Sequence, residues 1–385
     1  MKRRLAFALA WMLAALFAPF LAAPAQAQRQ VQPAGTLVSA DPIRDTPPGM
    51  QAWKVTYRTT SQEGRPLQVT GIVAAPREAL PGRPRRVIAW THGAWGVAEK
   101  CGPSLNADFL TISPALGEMV RRGYVVAAAD YPGLASPTQH GFLVGRETAN
   151  SVLDAVRAAR AIPGAGAGSS FAVWGESQGG HAALWTASEA RRYAPELTLV
   201  GTAAAAPPTD LAENLRKGSN ANVRALLTSF AVYSWSQRFD APLSTLVNRT
   251  NAGVITRLAQ NNCITLDMKP KIGTALGVVA VSSALRNKDI GTIQPWAGIA
   301  RANSVDPRAV GGPLMIAQSA ADVVVAPAVT LAFAKRYCAL GRPLRYLRLT
   351  TTPHEHSARD STGATLDWIA ARFDGGREPN DCRGL

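Results

Sequence analysis

The segment Gly-Glu-Ser-Gln-Gly at residues 175–179 constrains the fold of this chain more than any other feature. It follows a short apolar run, residues 170–174, that is typical of a buried strand, and it precedes residues 180–187, which have a helical pattern. A serine at a sharp strand-to-helix turn has a strained backbone, and glycines on both sides avoid clashes there. The pattern therefore predicts an exposed Ser177 hydroxyl above a helix N-terminus, with an ordinary glycine-rich turn as the alternative.

The rest of the chain alternates between strand and helix patterns, which predicts an α/β fold with a mostly parallel sheet and helices on both faces. The first two strands flank a Ser-Gln-Glu-Gly turn, so we expect an antiparallel hairpin at the sheet edge. The predicted strands are residues 53–60, 67–76, 86–91, 124–129, 170–174, 197–205, 313–317 and 344–349. The predicted helices are residues 109–122, 147–161, 180–187, 326–338 and 363–373.

Residues 208 to about 305 interrupt this alternation. Only helical patterns are visible there, at residues 226–235 and 272–285. An insertion of this size between two strands predicts a cap over the active site. We expect residues 272–285 to pack mainly in the core of the cap itself. A role in lining the substrate pocket is the alternative, both can hold for different faces of the helix, and Val278, Val279 and Val281 are the candidates for part of the pocket wall.

A serine hydroxyl needs a base to remove its proton, and in this architecture the partners follow in the order Ser, Asp, His. Asp322 follows a predicted strand and precedes a helix, where the acid of such a triad is expected, although it could instead cap that helix. His354 and His356 are the two histidines after Asp322. We predict His356 as the base because it lies closer to the final helix, with His354 as the alternative.

Stabilisation of a developing oxyanion requires two backbone N–H donors. Gln178, directly after the nucleophile, is expected to provide one of them. Ala94, in the loop after the strand that ends at His92 and Gly93, is expected to provide the other. We interpret His92 as a residue that fixes this loop and His181 as a packing residue.

The N-terminus has the pattern of a secretion signal. A basic start, Lys2 to Arg4, precedes the apolar residues 5–22, and Ala25-Gln26-Ala27 fits the cleavage rule. We therefore predict a signal peptide at residues 1–27 and a secreted or periplasmic hydrolase domain at residues 28–385, with an uncleaved membrane anchor as the alternative.

The formal net charge is +15, and it falls by three when the signal peptide is removed. The positive charge is scattered without interleaved aromatic residues, which argues against nucleic-acid binding and leaves a weak attraction to anionic lipid surfaces. The chain has four cysteines, Cys101, Cys263, Cys338 and Cys382, which in an exported protein predicts two disulfides. Their spacing suggests no metal site and leaves three pairings open.

The combined motifs resemble the secretory lipase family of α/β-hydrolases. The similarity runs from about residue 53 to residue 382. It is carried by His92-Gly93, Cys101-Gly102-Pro103-Ser104, Asp130-Tyr131-Pro132-Gly133-Leu134, residues 152–157, residues 175–181, Ala206-Pro207-Pro208-Thr209-Asp210-Leu211, Trp368-Ile369, Arg372-Phe373 and Cys382. Ala94 departs from the polar residue or threonine expected in many relatives.

This resemblance implies esterase or lipase activity, a cap after the segment at residues 207–211, and two disulfides. The partner we expect is a small-molecule or lipid ester, with contact to a lipid interface as a further expectation. We predict the pairings Cys101–Cys263, which would join the cap to the oxyanion loop, and Cys338–Cys382. The expected enzyme is an exported serine hydrolase that uses Ser177, His356 and Asp322, with no metal, cofactor or stable protein partner. A serine peptidase or amidase with the same triad, and a non-catalytic binding protein on this fold, are the alternatives.

Overall fold

A nine-stranded sheet forms the centre of the computed structural model, which describes residues 32–78, 82–264 and 271–385. The predicted signal peptide lies outside these residues. The strand order is β1-β2-β3-β5-β4-β6-β7-β8-β9. The strands are β1 Leu37–Ile43, β2 Met50–Thr60, β3 Pro66–Pro76, β4 Arg85–Thr91, β5 Val125–Ala129, β6 Ala167–Glu176, β7 Thr198–Ala205, β8 Leu314–Ser319 and β9 Leu344–Leu349.

The antiparallel part of the sheet contains the predicted hairpin. β2 and β3 pair in continuous register from Met50 opposite Pro76 to Thr60 opposite Pro66. β1 is not apparent in the sequence pattern; it pairs with β2 alone at the edge of the sheet and contains Pro42. Proline is tolerated on an edge strand because its missing N–H removes no bond from an interior ladder.

The parallel part runs from β5 to β9. Its strands β4, β5 and β8 are buried on both faces along almost their whole length. Val87 and Ala89 of β4 pack into one core, whereas Ile88 and Trp90 pack into the opposite core, as the two-residue period of a strand requires. Trp90 and Trp174 of the neighbouring strand meet edge to face with ring centroids 5.2 Å apart. This double burial explains why the strands are nearly continuous apolar runs.

Helices cover both faces of the sheet. The predicted helix 109–122 is wrong as a single element, because Ser113 and Pro114 separate two short helices and a helix-interior proline removes a backbone hydrogen bond. The helices outside the insertion are α1 Phe109–Ile112, α2 Leu116–Arg121, α3 Gly145–Arg160, α4 Gln178–Tyr193, α10 Pro327–Ala339 and α11 Ser357–Phe373.

Between β7 and β8, the residues that the structure describes (206–264 and 271–313) contain five further α-helices. They are α5 Leu211–Lys217, α6 Ala221–Phe239, α7 Arg249–Asn261, α8 Ile272–Leu285 and α9 Trp296–Asn303. They enclose a core of their own with fully buried Trp235 and Trp296. Several contacts fix this helical insertion to the sheet domain. Among them, the Trp235 indole donates to Phe142 O at 2.9 Å, and the His181 ring lies 2.7 Å from Asn303 O.

Both predicted disulfides are confirmed. Cys101–Cys263 joins the loop after β4 to the end of α7, and Ile264 N donates to Trp95 O at 2.9 Å beside it. Cys338–Cys382 joins α10 to the C-terminal turn. The first bridge therefore attaches the insertion to the loop that carries Ala94. Among the helices of the described residues, none is both long and apolar enough to cross a bilayer.

Candidate active site

Ser177 lies at the turn between β6 and α4 with φ 53° and ψ −121°, a conformation that non-glycine residues rarely adopt. The flanking glycines permit this turn. A β-carbon at Gly175 would lie 1.9 Å from Thr91 Oγ1, and one at Gly179 would lie 1.9 Å from the carbonyl oxygen of Thr91. The backbone of the turn therefore packs directly on the end of β4, which holds the serine hydroxyl at the carboxyl edge of the sheet.

A histidine and a carboxylate lie in line with this hydroxyl. His354 Nε2 is 2.8 Å from Ser177 Oγ, and His354 Nδ1 is 2.8 Å from Asp322 Oδ2. An ionised carboxylate only accepts hydrogen bonds, so Nδ1 carries the proton and Nε2 is left to accept from the serine. In this tautomer the imidazole can remove the serine proton, while Asp322 stabilises the imidazolium that results.

The prediction that His356 lies next to Ser177 is wrong. His354 to His356 form a single 3₁₀ turn between β9 and α11, in which successive side chains are rotated by about a third of a turn. His354 points toward Ser177 and Asp322, whereas His356 precedes the first residue of α11. Proximity to the final helix therefore does not identify the histidine that contacts Ser177, because both histidines lie in the same turn before α11.

Asp322 is buried and held from several sides. Its Oδ1 accepts hydrogen bonds from the backbone nitrogens of Val324 at 2.9 Å and Val325 at 2.8 Å. Its Oδ2 accepts from the Gln318 side chain at 3.1 Å in addition to His354. These donors fix the carboxylate in orientation and leave Oδ2 directed at the histidine.

Ala94 and Gln178 both line the cavity that contains Ser177. Neither backbone N–H donates to another group of the described residues, so both are available to a ligand. The Gln178 side chain lies 3.4 Å from His140 Nε2. The loop before Ala94 is fixed by Tyr131, whose hydroxyl donates to His92 O at 3.0 Å. The sequence pattern gives no sign of the positions of His140 and of the Tyr131 hydroxyl, because both depend on contacts between distant segments.

Three histidines near the site are buried and neutral at pH 7. Burial lowers the pKa of His92, His140 and His181 to about 4 in each case. His92 Nδ1 is 2.7 Å from Gly93 O, and its ring stacks on that of Tyr131 with centroids 4.1 Å apart. These two contacts agree with the expected role of His92 in fixing the loop. The buried His181 ring, 2.7 Å from Asn303 O, agrees with the expected packing role.

Glu176 places a second carboxyl beside the histidine. Its Oε2 accepts a hydrogen bond of 3.2 Å from the backbone nitrogen of Ala358, at the start of α11. Burial raises the pKa of this carboxyl to about 7, and the positive charge of a protonated His354 lowers it in part. The sequence motif contains Glu176, but its contact with α11 becomes visible only in the fold.

The cavity at Ser177 is small and apolar, with a volume of about 50 Å³. Its walls come from the loop at 142–143, from α5 and α6, and from the loop after Asp322. They comprise Phe142, Leu143, Pro208, Leu211, Leu215, Leu227, Val323, Val324 and Val325, together with Asn214 and Arg224.

The expectation that α8 forms part of this wall is wrong. Within the described residues, none of the cavity-lining side chains belongs to α8. Val278 and Val281 pack inside the core of the insertion, and Val279 is 58% exposed. Packing within the core of the insertion, the interpretation that the sequence favours, is confirmed for these two buried valines.

Comparisons with known proteins agree with this geometry. The profile of the secretory lipase family matches residues 99–380. A protein of Mycobacterium tuberculosis named as a probable inactive lipase is 25% identical over 86% of this chain and 75% of its own length. Lipase A of Moesziomyces aphidis is 27% identical over 41% of this chain, but only over 35% of its own length.

The crystal structure of Candida antarctica lipase A superposes with a TM-score of 0.74 at 19% identity, and the match covers 91% of this chain and 84% of that one. The predicted α/β-hydrolase fold is thereby confirmed.

Proposed function

The chain belongs to the secretory lipase family, and from this premise we propose that it is a serine hydrolase that cleaves carboxylic esters. The observation that carries the proposal is the pair of 2.8 Å contacts that joins Ser177, His354 and Asp322. Acyl transfer requires a positioned serine, a histidine whose Nε2 is free to accept the serine proton, and a carboxylate that orients this histidine.

In the proposed first step, Ser177 Oγ attacks the ester carbonyl carbon while His354 Nε2 takes the hydroxyl proton. The carbonyl oxygen becomes an oxyanion that accepts hydrogen bonds from the N–H groups of Gln178 and Ala94. The carbon–oxygen bond to the alcohol then breaks, and His354 returns its proton to the leaving alcohol. Asp322 stabilises the imidazolium between these two transfers.

In the second step, His354 removes a proton from water, and the hydroxide attacks the acyl group on Ser177. The bond between Ser177 Oγ and the acyl carbon breaks, and the proton returns to the serine. The products are a carboxylic acid and the regenerated enzyme. All of this chemistry uses side chains and backbone groups of the chain itself.

The walls of the cavity favour an apolar acyl group over a peptide. Its volume of about 50 Å³ is far below the roughly 300 Å³ at which ligand pockets begin. We therefore propose that the helical insertion acts as a cap that moves to admit the acyl chain. α5 and α6 are the elements that must shift, because they supply Leu211, Leu215 and Leu227 to the wall.

We further propose that the protein is exported and works at a lipid surface. Export rests on the signal-peptide pattern of residues 1–27. Contact with lipid is supported by α8, on which Ile272, Leu276 and Val279 are 81%, 67% and 58% exposed. Exposed apolar side chains at helical spacing on the insertion suit an interfacial helix.

A non-catalytic role is the second candidate, favoured by the name of the similar Mycobacterium tuberculosis protein. A fluorophosphonate probe separates the two functions, because it reacts with an activated serine. We expect covalent labelling of the wild-type protein and none of the Ser177→Ala variant, together with hydrolysis of 4-nitrophenyl esters by the wild type alone. An unlabelled wild-type protein that hydrolyses no ester would favour the non-catalytic role.

A further inference from the structure

A second and larger cavity lies in the helical insertion, between α5, α6 and the segment after α8. Its volume is about 390 Å³, within the usual range for small-molecule sites. Four cationic side chains line it, Arg216, Arg224, Arg286 and Lys288, against the single carboxylate of Asp289. We call it the cationic cavity.

The charge of this cavity is not neutralised locally. Glu213 pairs with Arg216 at 2.8 Å, which removes one cation from the balance. Arg224, Arg286 and Lys288 form no salt bridge with any carboxylate among the residues that the structure describes. Two positive charges therefore remain in excess even when Asp289 is counted against them. A concave site with unbalanced cations attracts anions.

The cationic cavity adjoins the cavity at Ser177. Leu215 and Arg224 line both, so the two cavities share part of their walls. Leu215 belongs to the apolar wall of the cavity at Ser177, whereas Arg224 adds a guanidinium, which also donates to Gly218 O. A neutral chain that ended beside the Arg224 guanidinium would displace its water without supplying an acceptor in place of that water, which costs free energy.

We propose that the cationic cavity binds an oxyanion, a carboxylate or a phosphate, that the substrate carries at the far end of an apolar segment from its ester. This inference rests on the proposed ester hydrolysis at Ser177 and names the substrate class for it. Arginine suits this role because its planar guanidinium binds carboxylate and phosphate through paired hydrogen bonds. The hydroxyls of Thr228 and Ser282, which also line the cavity, are further donors.

Two esters of equal chain length test the proposal: 4-nitrophenyl octanoate, and the mono-4-nitrophenyl ester of octanedioic acid, which ends in a carboxylate. In the double variant Arg286→Ala/Lys288→Ala we expect KM for the carboxylate ester to rise about tenfold, equivalent to about 1.4 kcal/mol. Its kcat should not change, because the lost contact is far from the reacting atoms. KM for octanoate should stay within about twofold.

Arg249→Ala is the matched control, because Arg249 is an exposed arginine of the insertion that does not line the cationic cavity. It should change neither KM. The proposal would be overturned by an equal rise in KM for both esters, or by an equal effect of Arg249→Ala, which would indicate only the general positive field of the protein.

Calorimetry separates the remaining outcomes. Inorganic phosphate that binds the wild type but not the double variant, with no kinetic preference for the carboxylate ester, would mean that the cavity takes a free anion and not the substrate. If neither ester is hydrolysed, the proposed function fails, and anion binding by the cationic cavity is then tested separately. Binding of monomethyl octanedioate is measured by calorimetry for the Ser177→Ala protein and for the triple variant Ser177→Ala/Arg286→Ala/Lys288→Ala. Weaker binding by the triple variant would support the proposed anion site. Equal binding by both proteins, or no binding by the Ser177→Ala protein, would refute it.

Discussion

Glu176 Oε2 accepts a hydrogen bond of 3.2 Å from the backbone nitrogen of Ala358 and so joins the nucleophile turn to the segment that carries the histidine. Glu176 directly precedes Ser177, and Ala358 lies in the first turn of α11, four residues after His354. Burial raises the pKa of this carboxyl from an ordinary value of 4.5 to about 7. Its charge therefore changes near neutral pH, beside His354.

The raised pKa of Glu176 predicts a pH-dependent stability. Between pH 4.5 and 7 the folded state retains the proton that the unfolded state releases, so the free energy of unfolding falls as pH rises through this window. Glu176→Gln keeps an oxygen for the Ala358 N–H and removes the titration. We expect this variant to exceed the wild type in stability by at most about 3 kcal/mol at about pH 8, and to match it near pH 4.

Urea unfolding across this pH range measures the effect. Glu355→Gln is the control, because Glu355 is an exposed carboxylate in the same segment, and it should shift the profile far less. Parallel stability profiles for the wild type and Glu176→Gln would show that Glu176 titrates as an ordinary carboxyl.

Gly179→Ala should damage both stability and activity. The added methyl group would lie 1.9 Å from the carbonyl oxygen of Thr91 and 2.7 Å from that of His92, so α4 must move away from β4. We expect a loss of about 1–3 kcal/mol in the free energy of unfolding. Hydrolysis of a soluble ester should fall by about 100-fold, because Ser177 and the Gln178 N–H move with the helix.

Gly363→Ala is the matched control for this substitution. Gly363 lies exposed in α11, and a β-carbon there meets no other atom within 4 Å. We expect a gain of about 0.5–1 kcal/mol from the better helix former and unchanged turnover. If Gly179→Ala behaved like Gly363→Ala, close packing of the turn on β4 would not be what holds Ser177.

The sequence predicts the central strands, the strand-to-helix turn at Ser177 and both disulfides, because each depends on local pattern or on the motifs of one family. It could not choose between His354 and His356, since two residues of one loop differ only in the direction that a 3₁₀ turn gives them. It missed β1, because an edge strand paired on one side lacks the apolar run that marks the buried strands. The exposure of Val279 was also invisible, because α8 is apolar on every face and its periodicity does not identify the buried side.

The exposed face of α8 predicts a selective defect on lipid surfaces. The double variant Ile272→Glu/Leu276→Glu changes two side chains that are 81% and 67% exposed, so the fold should not be affected. We expect binding to lipid vesicles and turnover of an emulsified triacylglycerol to fall by about tenfold or more, while turnover of 4-nitrophenyl butyrate remains normal. Leu340→Glu, at an exposed leucine outside the insertion, should change neither. Undiminished vesicle binding by the double variant would assign lipid contact to another surface.

We propose His354 as the base that activates Ser177, and paired alanine substitutions of His354 and His356 test this claim. The measurement is kcat/KM on 4-nitrophenyl butyrate, with thermal melting to confirm that both variants are folded. His354→Ala should lower kcat/KM by about 10⁴-fold, because the members of such a triad act as a unit. His356→Ala, which removes a side chain that does not contact Ser177 or Asp322, should change it by no more than about threefold. A folded His354→Ala enzyme with near-normal turnover, or a larger loss in His356→Ala, would contradict the claim.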